Sequence, residues 1–178
     1  MVRLNTVDPR APNLSPNALR VVGAQFLESA LPAAGTWTFD VKIPAYALLK
    51  DVIVHAEELW NNGTAAAMVA GVFNVDADGA IDTTSEEGTN AIYGSTDLLA
   101  TDLTKGQSMS FNRAGGKGGA MLTEGSSTHW LNAVGDTDRF VRVNITTTGT
   151  PNATPTGETY VYVVYAVPEL DSAVAATT

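Results

Sequence analysis

The chain has 178 residues, of which 44% are hydrophobic and only 16% charged, with no cysteine and a formal net charge of −9. This length suits one domain that buries roughly 70% of the surface exposed by its unfolded chain. The absence of cysteine excludes disulfides, thiolate metal ligands and cysteine nucleophiles, and the acidic balance, with ten scattered basic residues, argues against DNA or RNA as a partner.

The first twenty residues predict an extended arm. They contain one acid, three arginines and three prolines, which disfavour helix: Asp8, Arg3, Arg10, Arg20, Pro9, Pro12 and Pro16. Residues 51–104, by contrast, carry ten acids and no lysine or arginine. We therefore expect the arm to lie on an acidic surface of a neighbouring subunit. A frayed terminus is the other interpretation.

Neither a secretory signal nor a membrane span is predicted. Residues 1–20 lack the apolar run of a signal peptide, and nowhere do 18 uncharged apolar residues follow one another. We expect a protein made and kept in a cytoplasm, without a membrane partner.

Strands are predicted along the first half of the chain. Residues 21–27 form a short one, and residues 36–43 alternate apolar and polar side chains, as in a half-buried strand. Residues 45–60 are ambiguous because their apolar residues have helical spacing around a β-branched run. We favour a strand through Val54 followed by one helical turn at 57–60 over a continuous helix. Residues 65–73 follow as a strand of small side chains.

The second half of the chain continues this pattern. Short strands are predicted at 108–111, 120–123 and 129–133, and an alternating one at 140–146. Residues 159–167 are β-branched or aromatic throughout, which predicts a strand with both faces at least partly covered. The loop 148–158 is rich in turn formers, so the last two strands read as a long-looped hairpin. About eight strands predict an all-β, antiparallel β-sandwich.

The glycine-rich stretch 113–120, RAGGKGGA, raises the question of a phosphate site. A P-loop needs a hydroxyl residue after its lysine and a helix to follow, whereas Lys117 precedes Gly118 and Gly125 interrupts the next segment. We interpret the stretch as a flexible connection whose glycines supply positive φ angles, with Arg113 and Lys117 as candidate contacts to a neighbour.

Three other groups of residues are of types that can take part in binding or catalysis. Asp76, Asp78 and Asp82 share a glycine-containing loop of the kind that Ca²⁺ favours, but no EF-hand pattern is present and we favour an exposed acidic turn over a metal site. Trp60, beside two asparagines, is the candidate for stacking on a sugar. No hydrolase or zinc-protease motif surrounds the two histidines, so we expect no enzyme, no catalytic residue and no cofactor, with Ca²⁺ at the acidic loop as the alternative.

The order of segments resembles a known class of protein. It comprises the N-terminal extension, FDVKIPAYALLKDVIVHAEELWNNGTAAAMVAGVFNVDADG at 39–79, the TDL turn at 96–98, AGGKGGA at 114–120, and VRVNITTTGT with GETYVYVVYAVPEL at the end. Across residues 36–168 this pattern is similar to small virion proteins of tailed bacteriophages, in particular head decoration or cement proteins. No single motif in it is diagnostic.

The resemblance implies a jelly-roll-like sandwich that binds the outside of an assembled capsid, commonly as a homotrimer, with the major capsid protein as partner and the virion surface as location. Residues 1–20 would be the arm, 21–168 the sandwich and 169–178 a tail. The candidate contacts are Arg3, Arg10, Arg20, Arg113 and Lys117. The alternative is a module of the tail or fibre, or one that binds a host carbohydrate receptor through Trp60.

Overall fold

A computed structural model describes residues 19–31, 34–61, 64–82, 92–99, 101–111, 137–149 and 152–167. These residues form eight β-strands and one short 3-10 helix, Glu28–Ala30. The strands are β1 (Leu19–Leu27), β2 (Gly35–Ile43), β3 (Leu48–Glu58), β4 (Ala65–Asn74), β5 (Tyr93–Asp97), β6 (Gln107–Ser110), β7 (Arg139–Thr148) and β8 (Glu158–Ala166).

The strands are arranged in two four-stranded antiparallel sheets. The first sheet has the order β1-β8-β3-β6 and the second has the order β2-β7-β4-β5. Of the strands that follow one another along the chain, β4 and β5 share a sheet, and each of the other described connections passes from one sheet to the other. The prediction of an antiparallel β-sandwich is confirmed.

Alternating side chains explain why the sheets stack. On β2, Phe39, Val41 and Ile43 are buried while the residues between them are exposed, as a pleated strand with one apolar face requires. Both sheets contribute to one hydrophobic core. Across that core, Phe26 of β1 meets Phe39 of β2 edge to face, with ring centroids 6.3 Å apart.

The predicted hairpin of the last two strands is wrong. β7 pairs with β2 and β4 in the second sheet, whereas β8 pairs with β1 and β3 in the first. Turn-forming residues indicate that the chain reverses, but they do not indicate in which sheet it continues. Here β7 and β8 each lie inside a different sheet, flanked by a strand on both sides.

The predicted helical turn at 57–60 is also wrong, because β3 continues as a strand to Glu58. Its pairing with β8 shifts register between Leu49 and Asp51 and again between Ala56 and Glu58. A β-bulge inserts one extra residue, so the buried residues Leu49 and Val52 lie three positions apart instead of two. That spacing imitates a helix in the sequence.

Most of the other strand predictions are confirmed, with small differences in their bounds. The strands predicted at 21–27, 36–43, 65–73, 108–111, 140–146 and 159–167 correspond to β1, β2, β4, β6, β7 and β8. β5 was not predicted, and the segments 120–123 and 129–133 lie outside the described residues. β1 begins at Leu19, so the last two residues of the expected arm belong to the first sheet. Residues 1–18 and 168–178 are outside the described part of the chain.

Candidate interaction surface

The outward side of the first sheet, which we call the outer face, carries mainly apolar and aromatic side chains, interrupted on β3 by Asp51. Pairing places Leu19 and Leu48 on either side of Ala166, and Gly23 and Ile53 on either side of Tyr162. Because side chains alternate across a strand, their inward neighbours fill the core. The outer face includes the apolar and aromatic residues Leu19, Val21, Gly23, Leu48, Ile53, His55, Tyr160, Tyr162, Val164 and Ala166, and the polar residues Gln25, Asp51 and Glu158.

One corner of the outer face is open to solvent. Three large hydrophobic side chains are exposed among the described residues: Leu19 at 60%, Val21 at 48% and Tyr46 at 46%. Leu19 and Val21 lie at the start of β1, and Tyr46 lies in the turn that leads into β3, where it has a positive φ of 62°. Exposed apolar groups that gather on one patch indicate an interaction site, whereas scattered ones do not.

Two tyrosine rings occupy the middle of the outer face. Tyr160 and Tyr162 stack with ring centroids 6.2 Å apart and planes 5° from parallel. The Tyr162 ring lies over Gly23, where an added Cβ would come within 2.8 Å of the ring carbon Cδ1. Gly23 thus lets the aromatic ring reach the edge of the sheet.

The other end of the outer face is polar. The Tyr160 hydroxyl donates to Glu158 Oε1 at 2.6 Å, and Gln25 Nε2 donates to the same oxygen at 2.5 Å. These two hydrogen bonds lower the pKa of the Glu158 carboxyl, and the Tyr160 phenol that donates to it has a raised pKa. These hydrogen bonds hold the Tyr160 hydroxyl in place, and the Tyr162 ring stacks on the Tyr160 ring.

The outward side of the second sheet has a different character. On β2 and β7, Thr36 meets Thr146 at 3.0 Å, Thr38 donates to Asn144 at 2.9 Å, and Arg142 binds Asp40 through two hydrogen bonds of 2.7 and 2.8 Å. Polar side chains that pair with one another leave a hydrated surface. The first sheet is therefore the side of the sandwich on which large apolar side chains, Leu19 and Val21, are exposed to solvent.

Most of the basic residues predicted as contacts lie outside the described residues, namely Arg3, Arg10, Arg113 and Lys117. Arg20 is in β1, half-buried, opposite Tyr165 in the register with β8. Burial raises the pKa of the Tyr165 phenol, and the charge of Arg20 partly offsets that rise. Because Leu19 and Val21 on either side of it lie on the outer face, Arg20 is on the opposite, core-facing side of β1.

The three acids proposed for Ca²⁺ form a turn whose geometry is held by Asp76. Its Oδ1 accepts hydrogen bonds from the backbone N–H groups of Asp78 at 3.0 Å and Ala80 at 2.8 Å, and Gly79 takes a φ of 80°. Within the part of the chain that the structure describes, no three side chains of His, Cys, Asp or Glu are placed to hold a metal ion. The interpretation as an exposed acidic turn explains these contacts.

Trp60 is buried, with 2% of its surface exposed. Its indole Nε1 donates to Thr159 Oγ1 at 2.8 Å, and its ring packs over Gly157. Stacking on a sugar requires an open ring face, so this structure does not support the glycan-binding role suggested for Trp60. The two asparagines that follow Trp60 in the sequence suggest an exposed indole, but the structure buries this ring in the core at the end of β3.

A buried acid that the sequence did not single out ties the same end of the sandwich together. Glu28 is 4% exposed, and its Oε2 accepts backbone N–H groups of Asn61 at 3.1 Å, Thr156 at 3.2 Å and Gly157 at 2.8 Å. Buried carboxylates persist where such donors surround them. An isolated glutamate after an apolar strand gives no signal of this role in the sequence.

Comparison with protein-family profiles and with curated proteins finds no match. Among solved structures, the chain is similar to one from the capsid of Ralstonia phage GP4, at 16% identity and a TM-score of 0.46, over 89% of this chain and 90% of that one. It is also similar to chains of two infectious bursal disease virus structures, strain Gx (10% identity, TM-score 0.26) and strain Gt (15%, 0.21). These matches cover 87% and 93% of this chain but 34% and 41% of the viral chains.

No helix in the described segments is long and apolar enough to span a bilayer.

Proposed function

We propose that this chain is a structural protein of a tailed-bacteriophage virion, a decoration or cement protein that binds the outside of the major capsid shell and stabilises it. It works by adhesion and carries out no bond-making or bond-breaking step. Its partners are the major capsid protein and further copies of itself.

The outer face is the observation that carries this proposal. It presents Leu19, Val21 and the stacked Tyr160 and Tyr162 rings on a rigid sheet. Tyrosine-rich and aliphatic patches of this kind are typical of the centre of protein interfaces. A surface built from a sheet also keeps its shape, which suits repeated contact with a lattice.

The order of strands agrees with a virion role. A first sheet β1-β8-β3-β6 packed on a second sheet β2-β7-β4-β5 is the arrangement that we interpret as a jelly roll, an architecture of viral capsid domains and also of lectins. A fold alone does not give a function. The resemblance of residues 36–168 to phage decoration proteins favours a capsid over a carbohydrate as the binding partner.

Many copies allow modest individual contacts to stabilise a shell. When linked copies engage several sites at once, the second contact forms at a high effective concentration and the combined affinity exceeds that of each contact. An N-terminal arm that orders on binding adds reach. The basic residues Arg3 and Arg10 fit contact with an acidic neighbour.

Binding to particles tests the proposal. Purified full-length protein and a form lacking residues 1–18 are mixed with phage heads that lack this protein, and the heads are sedimented. We expect the full-length protein to sediment with the heads to saturation and the shortened form to bind much more weakly. The truncation ends before β1, so the sandwich is retained. Equal occupancy by the two forms contradicts the role of the arm, and no sedimentation of either contradicts the proposal.

A further inference from the structure

The first strand of the first sheet is an edge strand of an unusual kind. Within the described residues, β1 pairs with β8 alone, so its other side has no strand partner there. It is nine residues long and reads LRVVGAQFL, with one charged residue and no proline. A long, apolar edge is a template for pairing with another chain, which proteins ordinarily prevent.

The other three edges show such protection. β6 has four residues and β5 has five, and the pairing of β5 with β4 is interrupted by a register shift. β2 is as long as β1, but it carries Asp40 and Lys42 and presents threonines outward. Short strands, bulges and charges are the usual means of blocking edge association. Among the described edges, β1 is the long one with a single charged residue, Arg20, and no register shift in its pairing.

Charge points to the same strand. Two copies of a body with a net charge of −9 repel each other, so self-association is least opposed where acids are absent. β1 has no acidic residue, and its outward neighbours on β8 at the apolar corner are Val164 and Ala166. On the neighbouring strand β8 the acid is Glu158, opposite Leu27 at the polar end of the outer face; at the apolar end the acid is Asp51, one strand further away on β3, opposite Val164.

We propose that β1 pairs with β1 of a second copy of this chain, antiparallel about a two-fold axis, and joins the two first sheets into one eight-stranded sheet. With Gly23 at the middle of the strand, pairing about that residue sets Val21 opposite Gln25 of the partner subunit and Leu19 opposite Leu27 of the partner subunit. All nine positions of each strand are then paired, over a length of about 30 Å.

This arrangement makes the outer faces of the two copies continuous. The Tyr162 ring already lies over Gly23 in one copy, so the two tyrosines flank the axis and cover the joined strands. A contact of this type is isologous, because the same patch serves both copies. It predicts a dimer, whereas the resemblance to decoration proteins implies a homotrimer.

The test uses the purified full-length protein without phage particles. Sedimentation equilibrium is measured over a wide range of concentration for the wild type, Val21→Glu and Thr148→Glu. Val21 is 48% exposed, so its substitution leaves the core intact. Thr148 is an exposed residue at the end of β7 in the second sheet, and it provides a control with the same added charge.

We expect a dimer for the wild type and for Thr148→Glu, and a dissociation constant at least ten times higher for Val21→Glu. Hydrogen exchange of the peptide covering residues 19–27 should slow as the wild type dimerises. A wild-type monomer at every concentration overturns the proposal, and so does a wild-type trimer. The proposal is also overturned if Val21→Glu leaves the oligomer intact and the β1 amides of the wild type exchange without protection. Because no particle is present, these results are independent of whether the protein binds a capsid.

Discussion

The buried carboxylate of Glu28 holds one end of the sandwich together. It accepts three backbone N–H groups, two from the connection that leads into β8 and one from the residue after Trp60. Each buried donor that loses its partner costs about 1 to 3 kcal/mol. We expect Glu28→Ala to lower the free energy of unfolding by at least about 3 kcal/mol, as measured by urea denaturation.

The matched control for Glu28 is Glu57→Ala. Glu57 is exposed and contacts His55 at 3.1 Å, and an exposed pair of this kind contributes little. Its substitution should leave the unfolding midpoint almost unchanged. Similar midpoints for the two variants would contradict the role assigned to the buried carboxylate.

Gly157 is required by the close approach of Trp60. A Cβ at this position would lie 2.5 Å from Cγ of the indole and 2.8 Å from the backbone Cα of Trp60. The backbone atom cannot move aside, so we expect Gly157→Ala to destabilise the protein by about 1 to 3 kcal/mol, the usual range for overpacking. Gly35→Ala is the control, since its Cβ would meet the Trp37 ring at 3.4 Å. Equal melting temperatures in the two variants would count against this packing.

The hydrogen bond between Tyr160 and Glu158 predicts a pH dependence. Tyr160 and Gln25 donate hydrogen bonds that favour the charged form of Glu158, so the pKa of this carboxyl is lowered on folding. The resulting stability is present above the ordinary glutamate pKa, and it is lost as the pH falls through the pKa of the folded state. We expect Tyr160→Phe to raise the pKa of Glu158 towards its ordinary range. Carbon NMR of the Glu158 carboxyl measures that pKa. Tyr162→Phe should leave it in place. An unchanged pKa in Tyr160→Phe rules out this cause.

For single residues, the sequence did not predict which side chains are buried at the end of the sandwich near Trp60. Trp60 was considered for an exposed site because asparagines follow it, yet its ring lies in the core. Glu28 gave no signal at all. Both depend on residues about 100 or more positions away, Thr159 for the indole and Gly157 for the carboxylate. Such partners are fixed by topology and not by local pattern.

At the scale of single elements, alternation was a reliable guide. β2 and β7 were recognised from period-two patterns, and β8 from its β-branched and aromatic content, including the expectation that its second face is partly covered. β3 was misread at its end because two bulges changed the spacing of its buried residues. β5 was missed because YGSTD is short and offers no apolar alternation.

β1 offers a test of which segment the sandwich needs. Ala24 and Phe26 of this strand are buried, and burial of one large apolar side chain contributes about 1.5 to 3 kcal/mol. We expect removal of residues 1–18 to leave the melting temperature within a few degrees of the wild type, and removal of residues 1–27 to abolish cooperative unfolding in calorimetry. Cooperative melting of the shorter form at the wild-type temperature would show that β1 is dispensable.

At the scale of the whole molecule, the class of fold followed from the sequence while the pairing of strands did not. Low charge, many β-branched residues and about eight strands separated by turn formers indicated a sandwich. The choice between a hairpin and a crossover after β7 is decided by long-range packing, because Val143 and Val163 each have to enter the same core from opposite sheets. That information is not present in the connecting loop.

The central claim is that this sandwich adheres to the outside of a capsid, and electron cryomicroscopy of the particle tests it most directly. Maps are compared for wild-type particles, particles that lack this protein, and the latter after addition of the purified chain. We predict repeated density of the size of one sandwich on the outer surface of the head, lost in the second map and restored in the third. Identical maps, or density that changes on the tail alone, would contradict the claim.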